Sequence, residues 1–312
     1  MFAPAVVFQS PKSLQILELA LPDLGPADVE VQVEFTGIST GTERLLWDGT
    51  MPAFPGMGYP LVPGYETVGR VVRAGAQASL TEGTRVFVPG SQCFKDARNL
   101  FGGSAARLVV PSARALPIAD HLAERGALFA LAATAHHVAS GVLAQQPDLI
   151  VGHGVLGRLI ARLAVVAGAA PTVWETNPSR RDGAVGYTVV DPSTDTRRDY
   201  RCICDVSGDA ALLDSLIARL APGGEVVLAG FYDAPLSFGF PAAFMREARI
   251  RVAAQWAPQD LAAVIALATS GQLSLDGLIT HHETAGRADA AYHTAFGDAA
   301  CLKMVLDWRD AP

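Results

Sequence analysis

Three glycines in this chain of 312 residues have a spacing that can hold a phosphate. Gly152, Gly154 and Gly157 lie in the run Gly-His-Gly-Val-Leu-Gly, directly after the apolar segment Asp148-Leu-Ile-Val151, and Val155 and Leu156 open a stretch of helical periodicity. In that context the first glycine permits a tight turn, the second lets backbone approach a diphosphate, and the third lets helix and strand pack closely. The N–H groups at the helix start add positive potential. Glu175 ends the next apolar run, eighteen residues beyond Gly157. There a carboxylate accepts hydrogen bonds from the adenosine ribose and repels a 2′-phosphate. The expected cofactor is therefore NAD rather than NADP, a preference that Arg180 and Arg181 close behind could soften. The competing reading is a glycine turn that binds nothing. The coincidence of strand, helix and acid weighs against it.

Other chemistry-bearing residues point less sharply. Cys93, Cys202, Cys204 and Cys301 show no C-x-x-C spacing, so neither a zinc ribbon nor a disulfide framework is expected. They read as reduced core thiols, which suggests a cytoplasmic protein. The pairs His136–His137 and His281–His282 are adjacent, and side chains of neighbours diverge on a helix or strand. Packing or exposure is expected for all four, and no metal site. Lys and Arg number 24 against 31 Asp and Glu, a net charge of −7 without a basic run, so nucleic acid is a poor partner. The N-terminal MFAPAVVFQS lacks the basic start and long apolar core of a signal peptide. The uncharged stretch after Arg125 carries His136 and His137 among small residues, so a buried helix is expected there and not a membrane span.

Two kinds of element must position these groups. Val29, Val31, Val33 and Phe35 alternate with Glu30, Gln32 and Glu34, the period of a half-buried strand. Shorter runs at 67–72, 85–88 and 106–110 sit among Gly- and Pro-rich breakers, which predicts a small barrel-like β domain. After about Pro117 apolar runs alternate with helical segments, the mark of βαβ units and a parallel sheet. Within 155–167 the apolar positions form one helical face, which leaves Arg158 and Arg162 on the opposite face, expected to be solvated.

Taken in order, Gly37-Ile-Ser-Thr-Gly-Thr-Glu43, Pro63-Gly-Tyr-Glu-Thr-Val-Gly69, Gly83-Thr-Arg-Val86, Thr134-Ala-His-His137, Gly152–Gly157, Leu220-Ala-Pro-Gly-Gly224 and Leu302-Lys-Met-Val305 resemble the medium-chain dehydrogenase/reductase superfamily. The resemblance implies an α/β fold: a GroES-like β domain over 1–120, a Rossmann domain with a doubly wound parallel sheet over 121–265, and a C-terminal return over 266–312. Zinc-dependent members carry Cys just before the Gly-Thr-Asp/Glu element and His before the acidic residue of Gly-His-Glu. Here Ser39 and Thr40 stand at the first place and Tyr65 at the second. No third ligand appears near 130–133, so the resemblance is to zinc-free members. The run from Phe35 to Glu66 most resembles the branch that oxidises the 1-hydroxyethyl group of a chlorophyllide-type tetrapyrrole to acetyl.

Without a metal, the alcohol proton must pass to protein groups. The resemblance puts Tyr65 where the His ligand was, able to donate to the substrate oxygen or relay its proton, with Thr40 or Thr42 extending a hydroxyl relay. Glu43 and Glu66 keep acidic places beside it and read as orienting groups rather than bases. Tyr65 filling a void is the plain alternative. The resemblance also implies Lys303 near the diphosphate, and Ser207, Gly208, Gly230 and Phe231 bordering ribose and nicotinamide. Phe54, Met57 and Tyr59 could cover a flat ring. Two other functions stay open: a zinc-free NADPH quinone or enoyl reductase, which Glu175 disfavours, and a nucleotide or pigment carrier without turnover. A homo-oligomer is common in the superfamily but has no residue pattern here.

Overall fold

Val29, Val31, Val33 and Phe35 are all buried along the strand Asp28–Ile38, so the alternation does face a core. Of the polar alternates, Gln32 and Glu34 are half-buried and Glu30 is buried. Glu30 is 1% exposed and takes bonds from Arg107 at 2.8 Å and Arg73 at 3.2 Å. Those arginines come from the two strands hydrogen-bonded to it, Arg107–Pro111 and Thr67–Ala74, so cross-strand charge matching closes the second face. The structure is a computed structural model and describes residues 1–52, 56–140, 145–232, 234–253 and 255–311.

The chain divides into two units. One combines Met1–Ala130 with Asp276–Pro312 and the other spans Leu131–Leu275. In the first, a seven-stranded sheet runs in the order His281–Thr284, Met304–Asp307, Asp28–Ile38, Thr67–Ala74, Arg85–Val88, Leu116–Pro117, with Arg107–Pro111 also paired to Asp28–Ile38. The C-terminal strand enters antiparallel, Met304 opposite Ile38 and Asp307 opposite Phe35. This register sets Lys303 beside Ile38. The hairpin of Phe2–Ser10 and Ser13–Ala20 adds Phe8 to a core shared with Trp47 and Tyr292.

The second unit holds six parallel strands in the order Thr188–Val190, Thr172–Trp174, Leu149–Val151, Tyr200–Asp205, Leu220–Leu228, Arg249–Val252. Strand order reverses beside Leu149–Val151, the switch point at which doubly wound sheets bind ligands. Cys202 and Cys204 are buried in this sheet and Cys93 and Cys301 in the other unit, and none of the four is in a disulfide. The first helix of the unit's sheet, Val155–Val166, corrects one expectation. Arg158 and Arg162 are only 4% and 5% exposed rather than solvated. The guanidinium of Arg158 donates to the carbonyls of His153 at 3.0 Å and Arg180 at 2.8 Å, and that of Arg162 to the carbonyl of Ser274 at 2.9 Å. Loops lie over the helix, and long cationic side chains tie down their carbonyls. The expected buried helix is observed over Phe129–Ser140, residues 141–144 lie outside the described residues, and no helix among the described residues is long and apolar enough to cross a membrane.

Candidate active site

In the Leu131–Leu275 unit the glycine run forms a bare cradle at the C-terminal ends of the parallel strands. Gly152 has φ of +109°, a region closed to most side chains. A Cβ on Gly157 would sit 2.0 Å from the Gly152 carbonyl oxygen, whereas one on Gly154 would meet nothing within 4 Å. Gly154 caps the helix without a side-chain bond, and Val155 and Leu156 begin it. Open space above the first helical N–H groups is what a diphosphate requires, so these residues fit a dinucleotide.

The neighbouring loop is pinned to this cradle. Glu175 Oε2 accepts from the His153 N–H at 3.2 Å, and Oε1 accepts from the Asn177 N–H at 2.8 Å. The His153 ring is the brace. Its Nδ1 lies 2.6 Å from the Arg180 carbonyl and its Nε2 2.8 Å from the Tyr187 hydroxyl. A carbonyl only accepts, so Nδ1 carries the proton and Nε2 takes the tyrosine's. Burial pushes this imidazole down to about 4, which keeps it neutral. His153 escaped the sequence reading because the glycine pattern specifies no residue type between its first two glycines.

Ser207, Gly208, Gly230 and Phe231 gather on the same sheet edge. Asp205 Oδ1 accepts from the Ser207 N–H at 2.9 Å and its hydroxyl at 2.7 Å. A Cβ on Gly230 would lie 3.0 Å from the Gly208 nitrogen, and one on Gly208 3.0 Å from the Phe231 oxygen, so the two turns abut. Phe231 is half exposed beside them. Lys303 is buried in the first unit, its Nζ 2.5 Å from Glu66 Oε2 and 3.1 Å from the Ile38 carbonyl.

The first unit collects hydroxyls and carboxyls around the start of the helix Thr42–Asp48. The half-buried Tyr65 donates to Ser39 Oγ at 2.6 Å, with Thr42 Oγ1 at 3.4 Å. Thr40 is half-buried on the same turn. The edge of Phe101 supports the Tyr65 ring at 4.8 Å between centroids. Glu43 is fully buried. Its Oε1 takes the Ser39 N–H at 3.3 Å and its Oε2 the Tyr292 hydroxyl at 2.5 Å. Burial drives its pKa up to about 8 against the opposing Tyr292 bond, and the nearby Glu66 adds to the rise. Burial likewise raises Glu66, although Lys303 opposes it, and leaves Oε1 without a hydrogen-bond partner among the described residues. The Tyr65 phenol is raised too, chiefly by burial, so near neutral pH it keeps its proton. A side chain on Gly37 would collide with Glu66 Oε2 at 2.2 Å, so this glycine makes room for the ion pair.

Ser39 and Tyr292 are the side chains here that sequence reasoning missed. Ser39 was visible only as a lost ligand, yet its hydroxyl and its N–H serve two different partners. Tyr292 lies 249 residues from Glu43. The spacing of Ala288, Ala291, Tyr292 and Ala295 announces a buried helix face, but nothing local announces the partner. Phe54 lies outside the described residues. Met57 and Tyr59 pack against the core of this unit, and the Tyr59 hydroxyl donates to the Leu46 carbonyl. Of the histidine pairs, His281–His282 diverge toward different partners at the surface as expected, whereas the other pair differs. His136 and His137 converge, their Nδ1 atoms 2.7 and 2.9 Å from the two oxygens of Asp260, because the carboxylate sits at a helix start that faces both rings. Among the described residues no group of three or more His, Cys, Asp or Glu could hold a metal ion. The donors at the places of zinc ligands are neutral hydroxyls bonded to one another, a set unsuited to Zn²⁺.

A GroES-like β unit joined in one chain to a doubly wound unit with a glycine cradle is the architecture of the medium-chain dehydrogenases. The alcohol dehydrogenase GroES-like domain matches residues 25–120. Solved structures agree in fold: an NADP-bound dehydrogenase of Sinorhizobium meliloti (24% identity, TM-score 0.83) and an alcohol dehydrogenase of Escherichia coli complexed with NADH (20%, 0.82), each match covering 98% of this chain and 99% of the other. The 2-desacetyl-2-hydroxyethyl bacteriochlorophyllide a dehydrogenases of Rhodobacter capsulatus and Cereibacter sphaeroides are each 55% identical to it, over 98% of both chains. The chain belongs to the medium-chain dehydrogenase/reductase superfamily, in the family of these bacteriochlorophyllide a dehydrogenases.

Proposed function

We propose that the protein oxidises the C3 1-hydroxyethyl group of a bacteriochlorophyllide-type ring to acetyl, with NAD as acceptor, as a step in bacteriochlorophyll a synthesis. The observation that carries this reading is the end-to-end likeness to two dehydrogenases named for that substrate. NAD, when bound, accepts the hydride. Gly152, Gly154 and Gly157 hold the diphosphate, and Ser207, Gly208, Gly230 and Phe231 border the ribose and nicotinamide. Glu175 takes the ribose diol, and its charge favours NAD over NADP. Tyr65 orients the alcohol oxygen and takes its proton while passing its own to Ser39. Ser39 in turn gives up its own proton, by way of Thr42 or Thr40 on the same turn, to solvent water. Because burial raises the phenol, Tyr65 works as a relay and not as a standing tyrosinate. Glu43 and Glu66, held by Tyr292 and Lys303, keep the Ser39 turn in place.

A cytoplasmic location belongs to the same proposal and is supported by four buried cysteines, none of them in a disulfide. So does a homo-oligomer. The strand Arg249–Val252 ends its sheet, with Val252 exposed, and Phe240, Phe244 and Met245 of the preceding helix are exposed as well. Purified protein given NAD⁺ and hydroxyethyl bacteriochlorophyllide a should shift the pigment spectrum and form NADH in equal amounts. A preference for NADP⁺, or turnover of small conjugated carbonyls but not of the pigment, would overturn the reading.

A further inference from the structure

Glu175 and Arg181, six residues apart in one loop, favour opposite cofactors. A carboxylate suits a free ribose 2′-hydroxyl, and a guanidinium suits a 2′-phosphate. The structure settles this opposition for Arg181. Its Nε donates to the Glu175 carbonyl at 2.9 Å, and one terminal nitrogen donates to the Thr176 carbonyl at 3.0 Å and to Asp191 Oδ2. Asp191 directly follows the strand Thr188–Val190, which pairs in parallel with Thr172–Trp174, and the Glu175 N–H donates to the Val190 carbonyl at 3.0 Å. The ends of both strands are thus tied together. The other oxygen of Asp191 accepts from the Ser193 N–H at 2.9 Å and its hydroxyl at 2.6 Å. These bonds, with Arg181, hold the carboxyl below its usual range, so it stays ionised.

We propose that Asp191 is a specificity-determining residue: by holding Arg181, it withholds the cation that a 2′-phosphate would need and lets the Glu175 carboxylate set the choice of NAD. The inference rests on the NAD reading above. Without Asp191 the carbonyls of Glu175 and Thr176 still hold Arg181, but its side chain is 30% exposed and it can exchange those neutral acceptors for a phosphate without unpacking a core. A pair that merely stapled the turn would change stability and leave the ratio of cofactor affinities alone.

Titration calorimetry of the purified full chain with NAD⁺, NADP⁺, 5′-AMP and 2′,5′-ADP separates these. Asp191→Asn should tighten NADP⁺ and 2′,5′-ADP about fivefold, the size expected for releasing a partly exposed ion pair, with NAD⁺ and 5′-AMP within about twofold. The double variant Asp191→Asn/Arg181→Gln should lose the gain. Ser193→Ala, which removes one bond orienting the carboxylate, should move the ratio the same way by about twofold and carries the test if Asp191→Asn fails to fold. An unchanged ratio with NAD⁺ binding intact, or a gain that survives loss of Arg181, overturns the proposal alone. Wild-type protein that favours NADP⁺ overturns the NAD reading and this inference with it.

Discussion

The nucleotide cradle and the hydroxyl cluster are built on opposite plans. In the cradle the chemistry belongs to the backbone. Gly152, Gly154 and Gly157 lie within six residues, and the sheet end that receives them follows from strand order. In the cluster the chemistry belongs to side chains delivered from far apart: Ser39 and Glu43 from one turn, Tyr65 and Glu66 from the next strand entry, Tyr292 and Lys303 from the C-terminal return. A backbone site is written in adjacent residues. A side-chain site of this kind exists only once the chain has closed on itself.

The sharpest way to break the contrast is to damage each region by the means its plan makes costly. Lys303→Met should destabilise the protein by about 3–5 kcal/mol, because Glu66 is left buried without its cation. Adding Glu66→Gln should restore much of that loss in urea unfolding, and no restoration would mean the pair is not the issue. Gly157→Ala forces a methyl onto the Gly152 carbonyl and should cost about 3 kcal/mol and abolish NAD⁺ binding. Unaltered binding would refute the cradle. Next comes Tyr65→Phe, expected to lower kcat about 100-fold while calorimetric NAD⁺ affinity stays level. A matching loss of NAD⁺ affinity would assign Tyr65 a packing role instead.

The smallest effect is a pH dependence. Glu43 is raised from 4.5 to about 8 in the folded protein, so between these values the folded state holds a proton that the unfolded state has released. Its contribution to stability is complete below about pH 4.5 and declines as pH rises to about 8. Glu43→Gln, a mimic of the protonated form, should flatten that decline, so the variant gains on wild type by a few kcal/mol at most between pH 5 and 8. Parallel stability curves for the two proteins would show that Glu43 is ionised in the fold.

The same contrast explains what could be read before the fold was known. The strand–glycine–helix run, the acid at Glu175 and the change from two-residue to helical period were legible because each is local. Arg158 and Arg162 were misjudged because periodicity reports a helix face but not the loops folded over it. His136 and His137 converge because Asp260 arrives from a helix 124 residues away from His136, which no spacing rule registers. The pairing of Lys303 with Glu66 follows from a strand register, Met304 opposite Ile38, that no local spacing announces.

In the proposed reaction the hydroxyl groups at Tyr65, Ser39 and Thr42 handle the alcohol proton without an ion. The most direct measurement is turnover of hydroxyethyl bacteriochlorophyllide with NAD⁺ by protein that has been treated with chelator and assayed for bound metal. Undiminished turnover with no stoichiometric metal is the predicted result. Loss of turnover on chelation and its return with added Zn²⁺ would contradict it.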